Sequence, residues 1–428
     1  MKRWFADTFR SLQFYNYRLW AGGSLVSNIG SWMQRIAQDW LVLTELTQHS
    51  ASAVGVTTAL QFAPQLLLLP WTGLVADRYD QRKLLLLTQG AMALLATALG
   101  LATVTGIVTL WQVYGFAFAF GCAAAFDAPV RQAFVGQLVE EKDLANAVAL
   151  NSTSFNSARL VGPAVAGFLI AGVGIGWAFL LNGFSFVAVL ASLLFLRRSE
   201  MHPHARAERK RGGFAEGFTY VWSRPDLRAI CVMLFLIGTF GMNFAIWTSA
   251  MAVKVFHTDA HGYGMLSSIM AVGTVGGALL AASRERPFFI HLLAGCAVFA
   301  VGCALAAIAP NYWLFGAALA LVGVAMLTFL NSSNALMQLT TPPPLRGRVM
   351  AIRMGIALGG TPLGAPIAGW VADQWGPRWS IGIGAVAGIL SAAVAAAYMV
   401  RHKEPFVSRA AAVVRGDLVE RGGEGRKF

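Results

Sequence analysis

The chain has 428 residues, of which 57% are apolar and only 12% charged, with a formal net charge of +13 and a mean hydropathy of +0.60. Soluble globular domains carry about 45–50% apolar and about 25% charged residues, so a water-soluble fold and a disordered chain are both excluded. Long unbroken apolar runs also exclude a transmembrane β-barrel, whose strands alternate polar and apolar residues; what remains is an all-α polytopic membrane protein.

Runs of spanning length are predicted at 19–43, 53–76, 84–105, 110–128, 147–171, 176–196, 229–253, 265–282, 290–309, 313–336, 349–371 and 381–400. Twelve helices of about 20 residues use about 240 residues, which leaves enough for loops and tails. The basic opening, residues 1–18, leads into the first run without a small-residue cleavage site, so the first helix is expected to stay in the mature protein. Nearly all of the 33 Lys and Arg residues fall in alternate segments: the amino terminus, every second loop and the carboxyl tail. The opposite side has only Lys254 and Arg378, while Arg35, Arg159 and Arg353 lie within spans. The positive-inside rule then predicts a plasma (inner) membrane protein with both termini in the cytoplasm, and the net charge records topology rather than a nucleic-acid partner.

A polar stretch divides the spans six and six. The expected units are a first six-helix bundle at 1–196, a cytoplasmic linker at 197–228, a second bundle at 229–400 and a cytoplasmic tail at 401–428. The linker carries the charge cluster Arg206, Glu208, Arg209, Lys210 and Arg211, and then Phe214, Phe218, Val221 and Trp222 at helical spacing, which reads as a surface helix or a plain tether. The halves echo each other: Gln137-Leu138, Leu144 and Val148 match Gln338-Leu339, Leu345 and Val349, and Ala166-Gly167 and Trp177 match Ala368-Gly369 and Trp379. Two six-span halves of one orientation imply a parallel repeat with a substrate cavity between them. Cys122, Cys231, Cys296 and Cys303 lie in apolar runs without ligand spacing, which indicates packing rather than a metal site. The run Gly172, Gly174, Gly176 has no strand before it, so no nucleotide or other cofactor is expected.

The loop after the second run reads Gly73-Leu74-Val75-Ala76-Asp77-Arg78-Tyr79-Asp80-Gln81-Arg82-Lys83. It resembles the loop signature of the major facilitator superfamily, usually Gly, any, Leu, Ala, Asp, Arg, any, Gly, Arg, Arg or Lys. Asp80 stands where that family has Gly, and Gln81 where it often has Arg; an Asp there resembles the enterobactin-exporter-like and macrolide-efflux-like branch. The resemblance covers nearly the whole chain and implies a twelve-helix fold of two pseudo-symmetric bundles. It implies a cytoplasmic gate in which Gly73 allows close helix approach, Asp77 meets the amino end of the eleventh span, and Arg78 with Arg82 or Lys83 holds the gate. A fourth-span Asp joins that network in the family, and Asp127 followed by Arg131 fits. The corresponding second-half loop ends in Arg284-Glu285-Arg286 without the Asp, which predicts a weaker gate there.

The fifth span carries Arg159-Leu160-Val161-Gly162-Pro163-Ala164-Val165-Ala166-Gly167. Gly162, Pro163 and Gly167 resemble the antiporter motif of facilitator exporters, with Ala166 in place of the first of its paired glycines. Proline bends the helix and small residues permit tight contact with a neighbour. The first span resembles that branch as well, through Ser27-Asn28-Ile29-Gly30-Ser31-Trp32-Met33-Gln34 and Ala37-Gln38-Asp39-Trp40. Gln34, Arg35, Gln38 and Asp39 fall on neighbouring turns, Arg35 and Asp39 on one face. Charges in a span cost about 2.5–3.5 kcal/mol each at mid-depth, so this pair is expected to face a cavity or each other, as a proton-coupling site or as a static ion pair. Arg159 lies nearer the midplane, as an anion anchor or a helix-to-helix anchor, and Asn28, Trp32, Asn243 and Trp247 are the remaining candidates for the cavity lining. These features point to a monomeric, proton-driven antiporter in the lipid bilayer that expels small amphipathic molecules such as drugs or siderophores. Uptake of an organic anion and a non-transporting role such as lipid scrambling are the alternatives.

Overall fold

The computed structural model describes residues 9–202, 214–282 and 288–402, all helices and connecting turns. In the first half, α1 (Tyr15–Trp40) runs into a π-turn at Leu41–Leu46 and is followed by α2 (Ala51–Leu67), α3 (Leu69–Arg78), α4 (Gln81–Val104), α5 (Leu110–Val135), α6 (Leu144–Val173) and α7 (Ile175–Leu194). The starts follow from side-chain caps. Asp80, one of the two residues that depart from the loop pattern, accepts a hydrogen bond from the Lys83 amide at 2.9 Å and caps α4. Thr109 and Gln112 form a capping box at α5. The second predicted span is two helices meeting at Leu68, between Pro64 and Pro70, each of which removes a backbone donor.

The second half comprises α8 (Phe214–Ser223), α9 (Pro225–Leu236), a π-turn at Ile237–Gly241, α10 (Phe244–Lys254), α11 (Ala260–Ala282), α12 (Phe289–Ile308), α13 (Tyr312–Thr340), α14 (Pro343–Gln374) and α15 (Pro377–Arg401). The seventh predicted span is thus interrupted between α9 and α10, and α9 begins at Pro225, ahead of the boundary expected at 229. Within α8, Phe218 and Trp222 are exposed and stacked at 5.4 Å, while Val221 is buried and Glu216 pairs with Arg348 of α14 at 2.6 Å. The Arg206–Arg211 cluster, Arg284-Glu285-Arg286 and the tail from 403 onward lie outside the described residues.

Among the described residues, nine helices are long and apolar enough to cross a membrane: α4, α5, α6, α7, the α9–α10 unit, α11, α12, α13 and α15. The other three predicted spans correspond to α1, α2–α3 and α14. All three lie along the contact between the halves, together with α6 and α11: α2 packs on α14, α6 on α11, and α1 meets Tyr263 of α11. Large apolar side chains elsewhere are exposed, among them Leu94, Trp111, Phe184, Ile308 and Trp379. Such a surface suits contact with lipid hydrocarbon.

The repeat seen in the sequence is present in the backbone. Gly174 and Gly376, 202 positions apart, sit just before α7 and α15 with φ of +98° and +95°, a conformation that only glycine adopts without strain. Gly167 lies against the Ala260 carbonyl at the start of α11, and its repeat mate Gly369 lies against the Ala51 carbonyl at the start of α2. Each half therefore sends the end of one helix against the beginning of a helix of the other. We call the end of the molecule with the Arg-rich loops the basic end, and the end of these contacts the far end. The two cations of the far end are both engaged: Lys254 pairs with Asp373 at 2.7 Å, and Arg378 donates to the Ala307 and Ala309 carbonyls at 2.8 Å.

Candidate functional site

The far end is closed by groups from both bundles. Asp373, at the end of α14, accepts hydrogen bonds from the Ser50 hydroxyl (3.0 Å), the Ala51 and Ser52 amides (both 2.8 Å) and Lys254 Nζ (2.7 Å). It thereby satisfies free amides at the amino end of α2, where the helix dipole favours negative charge. Burial would raise the Asp373 carboxyl, but hydrogen bonds from Lys254, Ser52 and Ala51 outweigh it and hold its pKa down at about 2. The repeat-related contact is built differently, because residue 171 is Ala and α11 begins with its own Asp259, which accepts from the Gly262 amide at 2.9 Å.

One layer inward, Tyr263 of α11 donates its hydroxyl to Asp39 Oδ2 of α1 at 3.1 Å and stacks on Trp40 at 6.0 Å. Both Asp39 and Tyr263 are buried. Alongside, Ser268 of α11 donates to the Leu160 carbonyl of α6 at 3.1 Å, and a side chain at Gly264 would strike the Pro163 carbonyl. Pro163 and Gly167 are thus in the contact between bundles, whereas Gly162 faces its own bundle: a Cβ there would meet Trp32.

Directly toward the basic end lie Arg35 and Arg159. Their guanidinium carbons stand 4.8 and 5.4 Å from the centroid of the same Trp32 ring, and Arg35 is also 5.1 Å from Phe62 of α2. Phe155 packs edge-on against Trp32 at 5.8 Å. All three of Trp32, Arg35 and Arg159 are half-buried. Arg35 and Asp39 interact through space, but the static ion pair, one of the two alternatives for them, is not formed: among the described residues neither arginine has a carboxylate within 4.0 Å, and Asp39 takes its hydrogen bond from the opposite bundle. The spacing was correct for one helix face; it had no means of revealing a partner more than two hundred positions away. Gln34 turns from this site to α7, where it accepts from Asn182 at 2.5 Å.

The other cavity candidates are packed inside their own bundles. Asn28 accepts from Arg131 at 2.9 Å. Trp247, 1% exposed, donates to Ser380 at 3.1 Å and fills the space left by Gly384. Asn243 is buried beside the break in the seventh span and donates to the Thr239 carbonyl at 2.9 Å. Each of the three thus makes a hydrogen bond within its own bundle rather than facing the other, although the Asn243 Oδ1 atom is left without a partner among the described residues.

Toward the basic end, Asp127 accepts two hydrogen bonds from Arg131 (3.0 and 2.8 Å) and one each from Thr88 (2.9 Å) and Gln89 (2.6 Å). This network joins α1, α4 and α5 around the buried Asp127 carboxylate, with Arg131 half-buried and the Gln89 Oε1 atom left without a partner among the described residues. Arg82 donates to the Leu193 and Leu194 carbonyls at 2.7 and 3.0 Å, capping the end of α7 rather than reaching the second bundle. Gly73, Arg78 and Lys83 are exposed, and Gly73 has no atom within 4 Å of where a Cβ would stand, so no close approach occurs there in this conformation. The Asp77 side chain lies outside the described residues. Among the described residues no cluster of His, Cys, Asp and Glu is placed to hold a metal, and the four cysteines are unpaired.

Sequence reasoning missed Tyr263, Gly264 and Asp373. Asp373 had a visible signal, an acidic residue at the cation-poor end of a span, but its partners at the start of α2 are invisible in one dimension.

With this geometry the comparisons are informative. A family profile described as "Transmembrane secretion effector" matches residues 7–421. The staphyloferrin A transporter of Staphylococcus aureus (strain NCTC 8325 / PS 47) is 25% identical over 352 residues, covering 81% of this chain and 87% of that protein. The enterobactin exporter EntS of Escherichia coli O1:K1 / APEC is 24% identical over 352 residues, covering 78% and 80%. Among solved structures, a bacterial homologue of the human lysosomal transporter Spinster, in an inward-facing and unoccupied conformation, superposes with a TM-score of 0.72 at 15% identity, covering 90% of this chain and 96% of that one.

Proposed function

We propose that this chain, which belongs to the transmembrane secretion effector family of the major facilitator superfamily and to its enterobactin-exporter-like branch, exports a small amphipathic molecule of drug or siderophore type by proton antiport and alternating access. It is a transporter and not an enzyme. The positive-inside rule supports placing the basic end, and with it both termini, on the cytoplasmic side of the plasma membrane. The far end then faces outward and the conformation described is closed to the outside.

The observation that carries this reading is Asp39, a carboxyl buried between the bundles with a hydrogen-bond donor from the opposite bundle. Burying a charge in a span costs about 2.5–3.5 kcal/mol, whereas the neutral acid is far cheaper to bury. Proton binding from outside therefore favours the outer-closed state, and proton loss inward frees the protein to carry cargo out; each ligand acts through its differential affinity for the two states. Pro163 and Gly167 support the same reading, since they seat α6 on α11 where the outer closure forms.

A second reading, uptake of an organic anion by proton symport, is favoured by Arg35 and Arg159, because an anion held beside Asp39 promotes its protonation. Everted membrane vesicles separate the two. An exporter accumulates substrate and dissipates the pH gradient when a siderophore-class compound is added; no accumulation and no proton movement in vesicles containing the protein would refute export.

A further inference from the structure

Two guanidiniums that share one indole are not explained by packing alone. Arg35 on α1 and Arg159 on α6 approach the Trp32 ring to 4.8 and 5.4 Å, and they are close enough for their like charges to act on each other. A ring partner can hold one cation, and an apolar side chain would fill the same space without charge. Among the described residues, the ionisable groups at this point are Arg35 and Asp39 from α1, Arg159 from α6 and Tyr263 from α11, while α2 contributes the Phe62 ring. With Asp39 ionised the site holds two positive charges and one negative. With Asp39 neutral it holds two positive charges with no facing carboxylate among the described residues, in a span where unbalanced charge is costly.

The position is that of a cargo site. Asp39–Tyr263 and Leu160–Ser268 close the space between the bundles immediately to the far side, and both arginines are half-buried just below those contacts. The neighbours are aromatic: Trp32 lies against both guanidiniums, Phe62 against that of Arg35, and Phe155 packs edge-on against Trp32. A guanidinium offers a flat fork that pairs two-pronged with a carboxylate and also stacks on an aromatic face. We infer that Arg35 and Arg159 clasp an organic dianion whose two acid groups are carried on an aromatic body, with Trp32 fixing the separation of the two forks. This names the cargo class of the proposed transporter and rests on the reading of the space between the bundles as its path. The ionised Asp39 competes with the cargo for the same positive charge, so removing its charge strengthens binding of the dianion more than of a monoanion.

The test uses the purified full chain in detergent and saturation-transfer NMR with three probes: isophthalate, benzoate and benzyltrimethylammonium. Isophthalate should bind saturably and several-fold more tightly than benzoate, and the cation should not bind. Arg35→Gln and Arg159→Gln should each weaken isophthalate at least ten-fold at an unchanged melting temperature, and Asp39→Asn should tighten it several-fold. If either Gln variant fails to fold, Arg35→Lys and Arg159→Lys replace them; a point charge without the fork should erase the preference for isophthalate over benzoate. The inference is overturned by the absence of saturable isophthalate binding, by equal binding of the cation, by wild-type affinity in the folded Gln variants or by an intact dianion preference in the Lys variants. Vesicles that accumulate cargo while isophthalate does not bind would remove this inference and leave the export reading standing. Binding without flux in vesicles would do the reverse.

Discussion

Asp373 and Ala51 are 322 positions apart, yet the Asp373 carboxylate accepts the Ala51 amide at 2.8 Å, so a helix of the first bundle is capped by a residue of the second. An amino-terminal cap is ordinarily a local device, supplied by the residue just before the helix. Here Ser50 fills that local role through the Ala53 amide, and Asp373 satisfies the remaining donors from across the interface. The cap therefore depends on the contact between the two halves at the far end.

Asp373→Asn should weaken this closure by about 1.5–3 kcal/mol, the usual worth of hydrogen bonds to a charged group. The wild-type clamp should not respond to physiological acidification. A carboxyl held at about 2, below its ordinary value of about 3.9, contributes to closure above that ordinary value and loses the contribution only as pH falls toward about 2. Spin labels on His49 and Gln374 should report one distance from pH 8 to pH 5 in the wild type and a longer, broader distribution in Asp373→Asn. A wild-type distance that lengthens between pH 8 and 5 would count against the clamp.

Tyr263→Phe deletes the hydroxyl that Asp39 accepts and keeps the ring stacked on Trp40, so the fold should survive while coupling changes. Asp39→Asn should abolish uphill export and leave downhill exchange measurable. The readout for both is substrate-induced proton movement in vesicles with equal amounts of each variant. Full coupling in Asp39→Asn would move the proton site elsewhere. Because Arg35 is not in contact with Asp39, Arg35→Gln should not rescue Asp39→Asn in protein level, as it would for a paired charge.

Glycine substitutions should separate the two ends. Gly264→Ala puts a methyl group into the Pro163 carbonyl and should push the bundles apart at the far end, reducing yield and transport. Gly73→Ala meets open space and should leave yield and melting temperature unchanged. Under alternating access it should still slow turnover, because the basic end must close in the other state; Asp77→Asn should do the same. Unchanged transport rates in both variants would remove the loop from the gate.

Asp127→Ala strands the Arg131 guanidinium in a buried network and should cost about 3–5 kcal/mol, as for other broken buried pairs. The melting temperature in detergent should drop well below that of Arg78→Ala, whose exposed side chain should cost little. Equal losses would mean that the Asp127 network is not structural.

Some of this was legible in one dimension. Apolar runs set the helices, because in lipid every backbone donor must be satisfied within its own segment. The loop from Gly73 to Lys83 and the echo between halves carried the family and the repeat; the echo at Ala166-Gly167 and Ala368-Gly369 turned out to mark matching contacts at the starts of α11 and α2. Pairing across the bundles was not legible. Asp39 has Arg35 one turn away in sequence, and only the packing of α1 on α11 decided that its hydrogen bond comes from Tyr263. Asn28 and Trp247 look from sequence like Trp32, a polar or aromatic residue in an apolar run, and only the neighbours distinguish them: Arg131 and Ser380 occupy the first two, while two guanidiniums stand over the third. A sequence states which groups need partners. The tertiary structure decides which partners they receive, because hydrogen bonds and ion pairs act over a few ångströms in space and carry no memory of separation along the chain.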